Sequence, residues 1–123
     1  MRALRAAVAW LALASGCAAA RPPAHGPDEA SAARDDAVAQ HALLRDAERA
    51  VAAAIEARRC EEEACPAAGQ VCELSGSLCA IAARHAGDQE LAARCADGRR
   101  RCAGARARVA EVCGCAAEPA GRL

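Results

Sequence analysis

Nine cysteines are spread through 123 residues, and their spacing is the first feature with chemical content. Cys72 and Cys79 stand seven positions apart, as do Cys95 and Cys102. Cys60 and Cys65 precede the first pair, and Cys113-Gly114-Cys115 follows the second. Thiols at this density coordinate a metal, exchange electrons or form disulfides. The series C-x₄-C, C-x₆-C and C-x₆-C does not match the spacings of a zinc knuckle. No C-x-x-C pair occurs. The CGC dithiol of Cys113 and Cys115 is the one stretch suited to disulfide exchange or to holding Cu(I). No histidine adjoins it, and Cys60 and Cys65 are available as partners.

Which chemistry applies depends on the compartment. Met1-Arg2-Ala3-Leu4-Arg5 is a short positive region, and Ala6 to Ala14 is a short apolar run. Together they have the layout of a secretory signal peptide. The apolar and small stretch from Ala6 to Ala20 is 15 residues, short of the roughly 20 that span a bilayer. Its end, Leu13-Ala14-Ser15-Gly16-Cys17, resembles a bacterial lipobox, in which the cysteine is acylated and becomes the mature N-terminus. Ala14 departs from that pattern, which more often has Leu there. The rival is ordinary cleavage after Ala20, since Ala18-Ala19-Ala20 fits an A-x-A site. The expectation is export, with Cys17 anchoring the chain to a bacterial membrane, at the outer membrane or the periplasmic face. Eight cysteines then remain, an even number, and removal of Arg2 and Arg5 leaves 14 arginines against 16 acids.

Composition limits the fold. The 54% hydrophobic content includes 39 alanines, with no Phe, no Tyr and a single Trp. Alanine favours helix but buries little area. All 16 basic residues are arginine and the formal charge is zero, so charge balance implies no nucleic acid. No Ser/His/Asp set, paired inward carboxylates or glycine-rich phosphate loop can be assembled. A non-enzymatic protein without a cofactor is expected.

The elements that carry the cysteines follow from local signals. Residues 1–16 read as the signal peptide, and residues 17–27, with three prolines, as a lipid-anchored tether in which His25 is solvated. Residues 28–59 lack Gly and Pro and read as one Ala-rich helix capped by Asp28 or Ser31. It bears the stripe Leu44, Ala47, Val51, Ala54 and Ile55, with His41 half-buried or solvated on its margin. The acidic run Glu61-Glu62-Glu63 suits the positive end of the next helix, and Pro66 suits its first turn. That helix runs to about His85, Gly87 stops it, and Asp88 caps a last helix reaching about Val112. Residues 116–123 read as a frayed tail. The consecutive Arg99, Arg100 and Arg101 point in three directions. They read as solvated charges paired with acids such as Asp97 and Glu111, with anionic lipid as the alternative contact.

Seven residues are close to two helical turns, so Cys65, Cys72 and Cys79 share one face and Cys95 and Cys102 share another. The last helix repeats Leu91, Cys95, Gly98, Cys102, Ala105, Val109 and Val112 in steps of four and three, a coiled-coil seam. In an antiparallel hairpin, facing residues have numbers of constant sum. For Cys72 with Cys102, and for Cys79 with Cys95, that sum is 174, and half of it falls on Gly87. Two rungs, Cys72–Cys102 and Cys79–Cys95, are therefore expected, with Ala68, Ser75 and Gly98 small enough for close approach. The open end is Cys60 with Cys115 and Cys65 with Cys113, or the alternative, Cys60 with Cys113 and Cys65 with Cys115. Few large apolar residues lie in the hairpin, each contributing roughly 1.5–3 kcal/mol when buried, so the crosslinks decide whether it folds. A second stripe, Val71, Leu74, Leu78 and Ile81, needs cover. Either the preceding helix supplies it, or a protein partner or a second copy does.

The order C-x₆-C, a Gly-Asp turn, R-C-x-D-x-x-R-x-C and R-V-x-x-x-C-G-C resembles a group of small Ala/Arg-rich lipoproteins of myxobacteria and their relatives. The likeness covers residues 60–115 and the lipobox, and it implies a compartment but no activity. The hairpin also resembles, in architecture alone, the twin-cysteine hairpins of the mitochondrial intermembrane space, whose cysteines have nine intervening residues rather than six. The fold expected is all-α, a disulfide-stapled antiparallel hairpin with a preceding long helix, in a two- to three-helix arrangement. The function expected is a membrane-anchored structural or protein-interaction module of the cell envelope. A thiol-redox or copper-handling protein using the CGC motif is the alternative.

Overall fold

The computed structural model describes residues 27–116, so the leader, Cys17, nearly all of the tether and the tail beyond Ala116 lie outside the described residues. Three α-helices and one π-helical turn account for most of the rest, with no strand among the described residues. Helix α1 is Pro27–Glu56, the π turn is Cys60–Ala64, α2 is Cys65–Arg84 and α3 is Gln89–Cys113. The chain is an all-α protein: α2 and α3 form a disulfide-stapled antiparallel hairpin, and α1 packs across both.

Helix α1 places Asp28 and Glu29 in its first turn, where negative charge complements the helix dipole. It stops at Glu56, three residues before the end expected from the run of helix formers. The reason is a reversal at Arg58, whose φ is 58°. Arg58 N–H donates to the Ile55 carbonyl at 3.1 Å and Arg59 N–H to the Ala54 carbonyl at 2.9 Å. That is a Schellman ending with arginine where glycine is usual. No sequence signal marks it, because Ala57, Arg58 and Arg59 all favour helix. The following turn is wide, with Ala64 N–H donating to the Arg59 carbonyl five residues back.

The hairpin was legible. Pro66 lies in the first turn of α2, where its missing N–H costs nothing. Past Arg84, Asp88 N–H donates to the His85 carbonyl at 3.1 Å, and Gly87 takes a φ of 92° that a residue with a Cβ adopts only under strain. The Asp88 carboxylate accepts from Leu91 N–H at 3.1 Å, capping α3. The Leu91 amide, with help from Arg34, holds Asp88 below its ordinary carboxylate value.

The core is small. Leu44 and Val51 of α1, Val71, Leu78 and Ile81 of α2, and Leu91 and Val109 of α3 are buried. Alanines 37, 47, 54, 64, 68 and 105 fill the space between them. Ile55 and Leu74 are partly buried against this cluster. Val71, Leu78 and Ile81 of the stripe are buried, and Leu74 partly so, in one cluster with Leu44 and Val51 of α1, the first of the two covers considered. Val112 departs from the expected seam, since it is 56% exposed. The register set by the two rungs places Val109 opposite Cys65, the first residue of α2, so Val112 falls beyond the start of that helix.

Candidate functional site

Each of the eight cysteines among the described residues is in a disulfide. Cys72–Cys102 and Cys79–Cys95 form the two predicted rungs, with Cα separations of 4.6 and 4.5 Å. These lie at the short end of the range a disulfide allows. The small residues at the seam make that approach feasible. Ser75 and Ala68 are buried, and a Cβ built on Gly98 would meet Ser75 Oγ at 3.2 Å and Ser75 Cα at 3.3 Å.

At the open end the structure takes the second arrangement. Cys60 pairs with Cys113 and Cys65 with Cys115, at Cα separations of 5.3 and 5.8 Å. The pairing of Cys60 with Cys115 and Cys65 with Cys113, read from near-constant sums, is corrected here. The sum rule holds only while both strands of the hairpin are helical. Helix α3 ends at Cys113, and Gly114, with a φ of 67°, turns the chain back. Gly114 N–H donates to the Ala110 carbonyl at 3.1 Å, and Cys115 N–H reaches the Val109 carbonyl at 3.3 Å. Residue 109 is the position that the sum of 174 sets opposite Cys65. Folding back onto Val109 therefore carries Cys115 to Cys65, and Cys113 is left for Cys60. The CGC sulfurs accordingly stand in two different crosslinks.

A second constellation joins α1 to the hairpin. Arg34, His41 and Glu48 recur every seven residues beside the buried row Ala37, Leu44 and Val51. Arg34 Nε donates to Asp88 Oδ2 at 3.0 Å. His41 Nε2 donates to Asp97 Oδ2 at 3.0 Å. The Arg101 guanidinium donates to both Glu48 carboxylate oxygens, at 2.9 and 3.1 Å, and to Asp97 Oδ2 at 2.6 Å. The bond from His41 and the adjacent Arg101 hold the Asp97 carboxyl well below the usual carboxylate range. Asp97 also accepts from Arg100. His41 is half-buried, as its marginal position implies, and its partner Asp97 lies far along the chain on α3. The sevenfold recurrence of Arg34, His41 and Glu48 was the signal that could have found this row. Its complement on α3 is the stripe Glu90, Arg94, Asp97 and Arg101.

Two shallow grooves flank this row. One, of about 430 Å³, lies at the hairpin turn between Ala30 of α1 and Arg84, His85, Ala86 and Asp88. The other, of about 180 Å³, is lined by Glu48, Val51, Arg101, Gly104, Ala105 and Arg108. Among the described residues no group of three or more His, Cys, Asp and Glu is placed to hold a metal ion. Among them, no helix is long and apolar enough to cross a membrane. Compared with known proteins, the chain matches no family model, no curated protein and no solved structure.

Proposed function

We propose that the chain is an exported, non-enzymatic lipoprotein of the bacterial cell envelope. Acyl groups on Cys17 hold it to a membrane surface, and its three-helix body serves as a structural or protein-interaction module. One observation carries the reading: eight cysteines close into four disulfides within the chain, and the ninth is the cysteine of the lipobox-like Leu13-Ala14-Ser15-Gly16-Cys17. Disulfides at this density persist outside the reducing cytosol, and a core this poor in large side chains requires them. The basic leader and short apolar run supply the export route. The likeness to small myxobacterial lipoproteins points to the same compartment. Acyl chains contribute roughly 0.8 kcal/mol per buried CH₂, enough for two or more chains to keep a small body on a membrane.

Intact mass of the protein purified from a bacterial membrane fraction, alkylated before and after reduction, tests this reading. The expected result is an acylated N-terminal Cys17, no alkylation of the native protein and eight adducts after reduction. An unacylated chain beginning at Arg21 would replace the anchor with a free secreted domain. Two alkylatable thiols at Cys113 and Cys115, or copper held there, would move the assignment to thiol exchange or copper handling.

A further inference from the structure

We propose that α1 is an exchangeable arm: two copies of this chain trade it, each α1 packing on the α2–α3 face of the other copy. The partner is a second copy of the same chain, and the interface is the one α1 already makes within a single chain. Three observations carry this, none of which depends on the anchor or on export.

The first is the hinge. Ala57, Arg58 and Arg59 join α1 to the π turn, and all three are strong helix formers. Arg58 is nonetheless held at a φ of 58°, a left-handed conformation that disfavours a residue with a Cβ. The helical path beyond it has already begun, because the Arg59 carbonyl accepts from Glu63 N–H at 3.2 Å and the Arg59 side chain pairs with Glu63. Arg59 is itself off the helical path, at a φ of −100° and a ψ of 66°, so rotation within Ala57, Arg58 and Arg59 would make α1, the π turn and α2 continuous. Short hinges whose local preference opposes the turn favour exchange of the element they carry.

The second is covalent. All four disulfides join residues between Cys60 and Cys115, and α1 contains no cysteine. Swinging α1 away breaks no bond and leaves the hairpin stapled. The third is complementarity. Release of α1 takes Leu44 and Val51 out of the core cluster they share with Val71, Leu78 and Ile81, which then lack that apolar cover. An identical arm restores that cover together with the pairs Arg34–Asp88, His41–Asp97 and Glu48–Arg101. Monomer and exchanged dimer then share their packing. They differ in the conformation of two hinges and in the entropy of association, so the balance is set by concentration.

The experiment uses the oxidised full chain in two variants, Glu48→Arg and Arg101→Glu. Each alone sets like charges opposite one another within a monomer. In an exchanged heterodimer of the two, both arms meet a hairpin of opposite charge. Mixed, warmed and cooled, they are expected to give a heterodimer by native mass spectrometry well above the statistical half of all dimers. Monomers alone, or dimers in statistical proportion, would overturn the proposal. A second arm compares the unaltered chain with Arg58→Gly from micromolar to millimolar concentration. Glycine adopts the hinge turn freely and weakens the straightened helix, so dimerisation should fall at least about a hundredfold. Equal dimerisation by Arg58→Gly would mean that association leaves the hinge closed, and the exchange would be refuted.

Discussion

Gly98 and Gly104 both lie inside α3, and helix propensity alone predicts that alanine at either would stabilise by up to about 1 kcal/mol. Their surroundings separate them. Gly104 has nothing within 4 Å of a built Cβ, so Gly104→Ala should raise stability by about 0.5–1 kcal/mol. At Gly98 the neighbour is Ser75 backbone at 3.3 Å, and the rungs Cys79–Cys95 and Cys72–Cys102 stand on either side of it. The helices cannot move apart to admit a methyl group, so Gly98→Ala should cost about 1 kcal/mol or more, read as a fall in thermal midpoint. Asp97 gives a prediction in pH. Its folded-state pKa is depressed, so the stability it contributes is complete above the unfolded value of about 3.9 and is lost as pH falls below it. The thermal midpoint should be flat from neutral pH to about 5 and decline below about 4, a decline that Asp97→Asn should make shallower. The close contact at Gly98 was legible, because a glycine on a seam between two crosslinks has few other uses. The pairing of Asp97 with Arg100 and Arg101 was legible too, but its bond from His41 was not, since nothing along the chain says which face of α1 lies against α3.

Helix ends are the elements on which local signals succeeded and failed most clearly. Gly87 and Asp88 carried a turn residue and a cap, and both do what those residue types do best. Arg58 carried neither, and α1 ends there because the arm must fold back to cover the hairpin. Tertiary packing overrides the preference of three helix formers. At the far end of α3, Gly114 supplies a left-handed residue, and with it the direction in which Cys115 points. Gly114→Ala should cost about 1 kcal/mol through the strain of a Cβ at that φ. Peptide mapping after oxidative refolding should also find more of the isomer joining Cys60 to Cys115 and Cys65 to Cys113. An unchanged isomer ratio would show that something other than the chain reversal selects the partners.

The whole molecule depends on sulfur more than on its core. A single crosslink closing a loop of some 30 residues contributes about 3–4 kcal/mol in the chain-entropy model, less where an inner rung already shortens the loop. The double replacement Cys72→Ala with Cys102→Ala should therefore cost about 2–3 kcal/mol, read from the denaturant midpoint. Complete reduction should abolish most of the far-ultraviolet helical signal at physiological temperature, because alanine-rich helices with few large apolar contacts are marginal alone. Retention of full helicity after reduction would mean that the small core suffices.

Periodicity, cap residues and cysteine spacing are local properties, so the chain alone determined the hairpin, its turn, both rungs and the stripe that demands cover. Which helix covers that stripe, how Arg34, His41 and Glu48 find Asp88, Asp97 and Arg101, and how the four open-end sulfurs divide into pairs were decided only in three dimensions. Each of these depends on where the chain leaves a helix and in which direction, and a reversal at Arg58 or Gly114 relocates every residue beyond it.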